Sequence, residues 1–195
     1  MAIKTMTLGN AQNLPAEGWH LATVNKAEYG DYQGTRYIDV WFNGFPENLN
    51  ARVYEAKNKT TQEEFRIAQV FRFANAGIKD VLDDPTGKKP VVQYDDSAVN
   101  LVGKDLNVFI YKNEDGYLRV LRDFAPNETT NGEMLTFSSS DVEYWKGRAE
   151  KYYKDYVLAK SDQNDFTTAS VDEIKEMVSQ SQTETSNDKG DDLPF

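Results

Sequence analysis

The amino-acid sequence predicts a mainly β fold in which five strands form a barrel and one helix lies between the third and fourth strands. Runs rich in β-branched and aromatic residues recur at short intervals, and turn-forming residues separate them. One amphipathic stretch with helical spacing follows the third run. We therefore expect residues 1–125 to form the barrel domain, residues 126–160 a helical extension, and residues 161–195 an acidic, largely disordered tail.

Three strands are predicted before the helix. Residues 19–29 form the first, residues 30–34 have the composition of a hairpin loop, and residues 51–55 form the third. The second, residues 35–43, alternates with a period of two, which predicts two different faces. One face carries Arg36, Ile38, Val40 and Phe42, and the other carries Tyr37, Asp39, Trp41 and Asn43.

The helix and the last two strands are predicted from a change of spacing and from turn residues. Thr61 is the expected N-cap of an amphipathic helix of about four turns, and Gly77 its expected C-cap. Residues 83–96 predict a loop because they contain two prolines and a Gly-Lys-Lys run. Residues 101–111 and 117–124 predict two further strands joined by a turn.

The order of three strands, a helix and two strands is that of an OB fold, a five-stranded barrel with its helix between strands three and four. Ferredoxin-like and small sandwich folds are the alternatives. Ser138 to Asp141 predict the cap of a second helix that runs to about Val157 and packs on the barrel or on a second copy. Ser170 and Glu173 predict a capping box for a short segment before the tail.

The end of the chain combines two carboxylates with three apolar residues: Asp191, Asp192, Leu193, Pro194 and Phe195. An apolar triplet at a chain end has no evident role in folding. Residues 179–190, which precede it, have the polar composition of a linker. We therefore expect the tip to be held by another protein that offers an apolar pocket for Phe195 and basic groups around it.

This ending resembles the C-terminal tip of bacterial and phage single-stranded-DNA-binding proteins. The resemblance implies an OB-fold core that coats single-stranded DNA without sequence preference, and a tip that recruits proteins of DNA replication, recombination and repair. The run from Gly103 to Leu106, together with the extra helical region before the tail, is more similar to the phage-encoded members. The resemblance therefore also implies the cytoplasm of a bacterial host as the location.

A single-stranded DNA site needs flat apolar groups for the bases and cations for the phosphates. If Ile38, Val40 and Phe42 fill the barrel, Tyr37 and Trp41 stand on its outer face as a stacking platform. Arg52 and Tyr54 of the third strand would lie beside them. The remaining candidates are cationic or aromatic residues that follow this strand or lie in loops, namely Lys57, Lys59, Tyr32 and Lys112.

A structural role competes with this prediction at several positions. Tyr37 and Trp41 would be covered if the helix near Trp145 or a second copy lay on them, and Asp39 between them would repel phosphate. Trp19 can equally close the end of the barrel or touch DNA. The pair at 88–89 is more typical of a solvated loop than of a phosphate site.

The sequence offers little for catalysis. Cysteine is absent, which excludes disulfides and thiolate metal sites, and His20 is the one histidine. The acidic pairs at 83–84 and 95–96 are more typical of turns than of a Mg²⁺-dependent nuclease. A glycine-rich phosphate loop is also missing. We expect no enzymatic activity, no metal and no cofactor.

The net charge of −10 argues against nucleic acid, but its distribution weakens the objection. Residues 161–195 carry nine acidic and two basic residues, which leaves residues 1–160 close to balance. The alternative function is an acidic adaptor or a DNA mimic that does not bind DNA. No apolar run has the length of a membrane span, and the first ten residues lack the pattern of a signal peptide, so we expect a cytoplasmic protein.

Overall fold

The computed structural model describes residues 14–82, 90–129 and 133–159. It is mainly β, as the sequence predicts. In chain order the elements are β1 (Gly18–Tyr32), β2 (Thr35–Phe42), β3 (Ala51–Tyr54), α1 (Arg66–Phe73), β4 (Ile78–Leu82), β5 (Val91–Tyr94), β6 (Asp105–Lys112), β7 (Leu118–Val120) and α2 (Ser139–Tyr152). A 3₁₀ turn spans Ala98–Leu101, and a π-helical turn, Tyr153–Leu158, follows α2.

Five strands form one antiparallel sheet in the order β3-β2-β1-β6-β7, which is not closed between β3 and β7. β1 is the central strand and is fifteen residues long. Its first part, from Gly18 to Thr23, pairs with β6, and the part from Val24 onward pairs with β2. A single long strand therefore joins the two halves of the sheet.

A β-bulge divides β1 between Val24 and Lys26 and changes which residues face inward. Before it, Ala22 and Val24 are buried, whereas after it Ala27 and Tyr29 pack against the core. The extra residue bends the strand and reverses the parity of its alternation. Lys26 consequently lies on the outer face, opposite Trp41 of β2.

The core lies on the inner face of the sheet and is completed by α1. The alternation predicted for β2 is confirmed, because Ile38, Val40 and Phe42 are buried. They belong to one cluster with side chains from the other strands and from the helix. The members on the other strands and on α1 include Val24, Val53, Leu106, Val108, Ile110, Ile67, Val70, Phe71 and Phe73.

The connection between β1 and β2 is tighter than predicted. The expected loop at 30–34 is wrong, because β1 continues to Tyr32 and only Gln33 and Gly34 form the turn. Both turn residues have positive φ, at 53° and 77°, the backbone of a two-residue hairpin that matches the twist of its strands.

Helix α1 is shorter than predicted and begins four residues later, with Phe65 at the N-cap position. Thr61 does not cap it; the carboxylate of Glu64 accepts hydrogen bonds from the backbone N–H groups of Arg66, Ile67 and Ala68 at 2.7–2.8 Å. One carboxylate thus satisfies three of the donors that the first turn leaves unpaired. The helix ends at Phe73, and Asn75 adopts a left-handed φ of 48° before the predicted Gly77 is reached.

The region after α1 contains a hairpin that the sequence interpretation missed. The prediction of loop at 83–96 is wrong over Val91–Tyr94, which pairs with Ile78–Leu82 in a separate two-stranded sheet. The predicted strand at 101–111 begins later, at Asp105, and the last strand ends earlier, at Val120. These strands are joined at residues 113–117 as expected, with Asn113 Oδ1 accepting from the Tyr117 N–H at 2.8 Å.

Helix α2 begins where the sequence predicts. Ser138 is the N-cap of a reciprocal capping box with Asp141, which donates its backbone N–H to Ser138 Oγ at 3.3 Å and accepts from the Ser138 N–H at 2.8 Å. Tyr153, the residue that follows α2, contacts two rings of β6: its ring centroid lies 5.3 Å from that of Phe109 and 5.1 Å from that of Tyr111.

Contacts divide the chain into Met1–Tyr153 and Lys154–Phe195, and every site contact below lies in the first unit. The predicted capping box at 170–173 and the tail lie outside the described residues. Within the described ranges, no helix is long and apolar enough to cross a membrane.

Candidate functional site

The outer face of β2 and β3 carries the aromatic and cationic residues that the alternation predicted. Register pairs Tyr37 with Tyr54 and Asp39 with Arg52, and the bulge in β1 brings Lys26 opposite Trp41. Tyr37, Trp41 and Tyr54 are partly exposed, whereas Arg52 and Lys26 are exposed. We call the set of Lys26, Tyr37, Trp41, Arg52 and Tyr54 the aromatic face.

Tyr37 lies across its neighbour strand at Gly30, its register partner on β1. A Cβ at residue 30 would come within 2.3 Å of Tyr37 Cζ, so any other residue there would require the phenol to shift from its present position. Tyr54 contacts the same ring edge-to-face at 5.5 Å. The Arg52 guanidinium carbon lies over the ring, 4.0 Å from its centroid. Tyr37 is thus held from three directions.

Asp39, which the sequence interpretation treated as an obstacle to phosphate, is paired. It is buried, with 7% of its surface exposed, and it accepts hydrogen bonds from Arg52 Nε at 2.8 Å and Nη2 at 2.7 Å. Hydrogen bonding to Asp39, then to Tyr54, raises the pKa of Arg52 above its ordinary value. The planar, bidentate geometry fixes the orientation of the guanidinium group and offsets the charge of Asp39.

Trp41 is anchored at one edge of its ring. Its indole N–H donates to the backbone carbonyl of Glu47 at 2.9 Å, in the connection to β3. The ammonium group of Lys26 lies 4.7 Å from the ring centroid. The cover considered for it, the helix that carries Trp145, packs elsewhere, because Trp145 contacts Phe73 at a centroid distance of 4.9 Å.

Two lysines near the aromatic face form ion pairs, one with an exposed carboxylate and one with Glu55, which is largely covered. Lys26 pairs with Glu28, and Lys57 with Glu55, each at 3.0 Å. An exposed pair such as that of Lys26 contributes little to stability, roughly 0–1 kcal/mol, so such a cation can exchange its carboxylate for a phosphate at small cost. Lys59 is also exposed, in the turn before α1.

Tyr32 and Lys112, which the sequence places in loops, lie near opposite ends of β1. Tyr32 is the last residue of β1, with 55% of its surface exposed. Lys112 is the last residue of β6, just beyond Ile110, which pairs with Gly18 at the other end of β1. Lys112 forms an ion pair with Glu17 at 3.0 Å. Both are strand ends rather than loop residues, and the register of β1 does not bring them together.

Trp19 and His20 have structural contacts. The Trp19 indole N–H donates to Glu150 at 2.9 Å, and its ring contacts Phe109 at 5.3 Å, which places it between the sheet and α2. The His20 ring lies 2.7 Å from the carbonyl oxygen of Ala16, within hydrogen-bond distance. These contacts account for both residues without a ligand.

Both acidic residues of the pair at 95–96 are bound to other side chains of the protein. Asp95 accepts hydrogen bonds from the backbone and hydroxyl of Ser97, which lowers the pKa of its carboxyl group, and Asp96 pairs with Arg36 at 3.0 Å. Among the described residues, no group of three or more histidine or acidic side chains is arranged to hold a metal ion.

Sequence reasoning missed Lys26 and Gly30, although both contact the predicted platform. Strict alternation along β1 places Lys26 on the same side as Ala22 and Val24, and only the bulge brings it to the outer face. Gly30 could have been identified from its pairing with Tyr37. That pairing follows only if the hairpin turn consists of two residues, and the sequence predicted a longer loop.

Three predicted groups lie outside the described residues: the lysines at 88–89, the acidic pair at 83–84 and the tip at 191–195. No protein-family model matches the chain, and a search of curated proteins gives no match either.

Proposed function

We propose that this protein binds single-stranded DNA without sequence preference on the aromatic face of β2 and β3. The observation that carries the proposal is the combination of three partly exposed rings with two cations on one side of a bent sheet. Unpaired bases stack on exposed flat groups whatever their sequence, for about 1–3 kcal/mol per base, and exposed cations such as Lys26 neutralise the phosphates between them.

The arrangement of strands supports an OB fold as the scaffold for this role. In an OB fold, five strands form a partly open barrel with a helix between the third and fourth, and oligonucleotides bind on strands two and three. Here the sheet order is β3-β2-β1-β6-β7, and α1 lies between β3 and β6 in the chain. The hairpin of β4 and β5 would then be an insertion after the helix. The aromatic face lies on β2 and β3, where this proposal requires the site.

The C-terminal tip gives the proposal its second part. We propose that Phe195 and the acidic residues before it recruit proteins of DNA replication, recombination or repair to the coated strand. Support comes from the sequence resemblance of residues 191–195 alone. The similarity of residues 103–106 to phage-encoded members makes a phage origin part of the same proposal.

The net charge of −10 favours the alternative, an acidic adaptor or DNA mimic. Two features favour DNA binding instead. Residues 161–195 hold most of the excess negative charge. Asp39 is buried in an ion pair with Arg52, and Glu28, its exposed register partner on β1, pairs with Lys26. A DNA mimic needs acidic groups on its surface, whereas this face presents rings and cations.

The test is a fluorescence-anisotropy titration of a labelled oligo-dT, with a duplex of the same length as the control. The proposal predicts saturable binding of the single strand, weaker binding of the duplex, and an affinity that falls as salt rises. Absence of binding in low-salt buffer would reject it in favour of the acidic adaptor. Cleavage that EDTA stops would point to a nuclease instead.

A further inference from the structure

The ring of Tyr37 is not free to receive a base. Its hydroxyl end lies against β1 at Gly30, where even a Cβ atom would be 2.3 Å from Cζ. The Arg52 guanidinium lies over the ring at 4.0 Å from the centroid, which is stacking distance. A base that approaches Tyr37 from solvent therefore meets the guanidinium of Arg52 first.

Arg52 has the geometry of a fixed flat surface. Its Nε and Nη2 atoms both donate to Asp39, and Asp39 is buried in the sheet, so the plane of the guanidinium cannot turn without breaking two charge-assisted hydrogen bonds. The side chain still has 44% of its surface exposed. The side of the guanidinium that faces away from the Tyr37 ring is the one open to a ligand, and nucleobases stack on guanidinium planes as they do on aromatic rings.

We propose that Arg52 is itself a base-stacking site, in which an unpaired nucleobase lies on the guanidinium plane above Tyr37. The inference rests on the proposed function, since it assigns a role within the same single-stranded DNA interface. Tyr37 and Gly30 form the support beneath the guanidinium, and Asp39 is a positioning residue that keeps it flat. Trp41, on β2, supplies the neighbouring stacking surface.

A different role for Arg52 makes opposite predictions. If Arg52 served only as a cation for phosphate, Lys at position 52 would replace it, because Lys retains the charge and loses only the planar fork. Loss of the negative charge at Asp39 would then raise DNA affinity, since it would release Arg52 and remove a repulsion. If Arg52 stacks on a base, both substitutions lower the affinity.

The experiment titrates labelled oligo-dT with the full chain and its Arg52→Lys and Asp39→Asn variants at three salt concentrations. Stacking predicts a loss of about 5- to 100-fold for Arg52→Lys, the equivalent of one stacked base, with an unchanged dependence on salt. It predicts a loss for Asp39→Asn as well. On an oligonucleotide with abasic sites in place of thymines, the difference between Arg52→Lys and the unmodified protein should shrink.

Lys57→Ala is the matched control, because it removes an exposed cation near the end of β3 and should flatten the salt dependence without a specific loss on bases. An Arg52→Lys variant that binds as tightly as the unmodified protein, or an Asp39→Asn variant that binds more tightly, would overturn the assignment. Thermal melting shows whether Arg52→Lys and Asp39→Asn are folded. A folded form of either variant is enough to test whether Arg52 stacks on a base. If the unmodified protein binds no oligonucleotide at all, the proposed function itself fails, which is a different result.

Discussion

The ammonium group of Lys26 lies 4.7 Å from the ring centroid of Trp41, its partner across the β1–β2 pairing. The contact depends on the bulge in β1, which brings a lysine to the outer face. Single-stranded DNA needs a cation for each phosphate and a flat ring for the adjacent base, and this pair offers both side by side. The bulge that bends the central strand therefore also places the Lys26 ammonium group beside Trp41 in the proposed site.

Replacement of Lys26 by alanine tests the electrostatic part of the site. We expect Lys26→Ala to lower the affinity for oligo-dT and to reduce the slope of log affinity against log salt by about 0.7, the value for one phosphate contact on a single strand. Lys79→Ala, on the separate β4–β5 hairpin, is the control and should leave the slope unchanged. Equal slopes for Lys26→Ala and the unmodified protein would remove Lys26 from the interface.

Gly30→Ala tests whether Tyr37 supports the aromatic face. The added methyl group would come within 2.3 Å of the phenol, so the ring must move and the Arg52 stack with it. Because the contacted atoms are the far end of the Tyr37 side chain, which can shift, we expect the free energy of unfolding to fall by at most about 1 kcal/mol and the DNA affinity to fall as well. Gly147→Ala in α2 is the opposite case: it meets no atom within 4 Å and should stabilise the protein by about 1 kcal/mol. Urea denaturation measures both changes in stability, and an undiminished DNA affinity of Gly30→Ala would show that Tyr37 does not support the aromatic face.

The capping box of α2 predicts a pH dependence. Hydrogen bonds from Ser138 hold the pKa of the Asp141 carboxyl group below its ordinary value. Since the pKa is lower in the folded state, the unfolded chain binds more protons as pH falls. The stabilisation from this carboxylate is therefore complete above its unfolded pKa, near 4, and is lost as pH falls through the folded pKa.

Ser138→Ala should cost about 1 kcal/mol at neutral pH, the usual value for an N-cap. The difference in stability between the unmodified protein and Asp141→Asn should shrink as the pH is lowered below 4. Urea denaturation from pH 7 to pH 3 measures both, with Glu143→Gln as an exposed control on the same helix. A difference that stays constant over this range would show that the carboxylate does not stabilise the helix.

Deletion of residues 191–195 tests the proposed separation of DNA binding from recruitment. The tip carries the side-chain carboxylates of Asp191 and Asp192, which compete with DNA for any basic surface. We expect the shortened protein to bind oligo-dT with equal or higher affinity in the anisotropy assay. Phe195→Ala is the control, because it removes the apolar contact and keeps the charge. A marked fall in affinity after the deletion would mean that the tip takes part in DNA binding.

The sequence was sufficient for those features that depend on local pattern. Period-two alternation from Thr35 to Phe42 correctly placed Tyr37 and Trp41 outward, and Ser138 with Asp141 correctly marked the start of α2. The cap of α1 was missed although it is also local, because a glutamate is not among the residues that usually occupy an N-cap. Glu64 rather than Thr61 satisfies the first turn of α1, because its carboxylate reaches three backbone donors at once.

The stacked arrangement within the aromatic face could not be derived from spacing. The contact between Tyr37 and Gly30 requires the register of β1 and β2, and the stack of Arg52 on Tyr37 requires the position of Asp39. The strand at Val91–Tyr94 was missed because four residues beside a proline carry too little pattern to separate a strand from a loop. Local signals identified the residues of the candidate site, whereas cross-strand pairing determines which surface they present.

The most direct test of the central claim is an oligo-dT titration of the unmodified protein and its Trp41→Ala variant, followed by intrinsic tryptophan fluorescence. We predict that the oligonucleotide quenches the fluorescence of the unmodified protein, and that Trp41→Ala loses both most of this quenching and about 1–3 kcal/mol of binding free energy. Trp145→Phe, altered at a ring that packs on Phe73, should retain both. Equal affinity and equal quenching in the Trp41→Ala variant would contradict the claim that unpaired bases stack on this face.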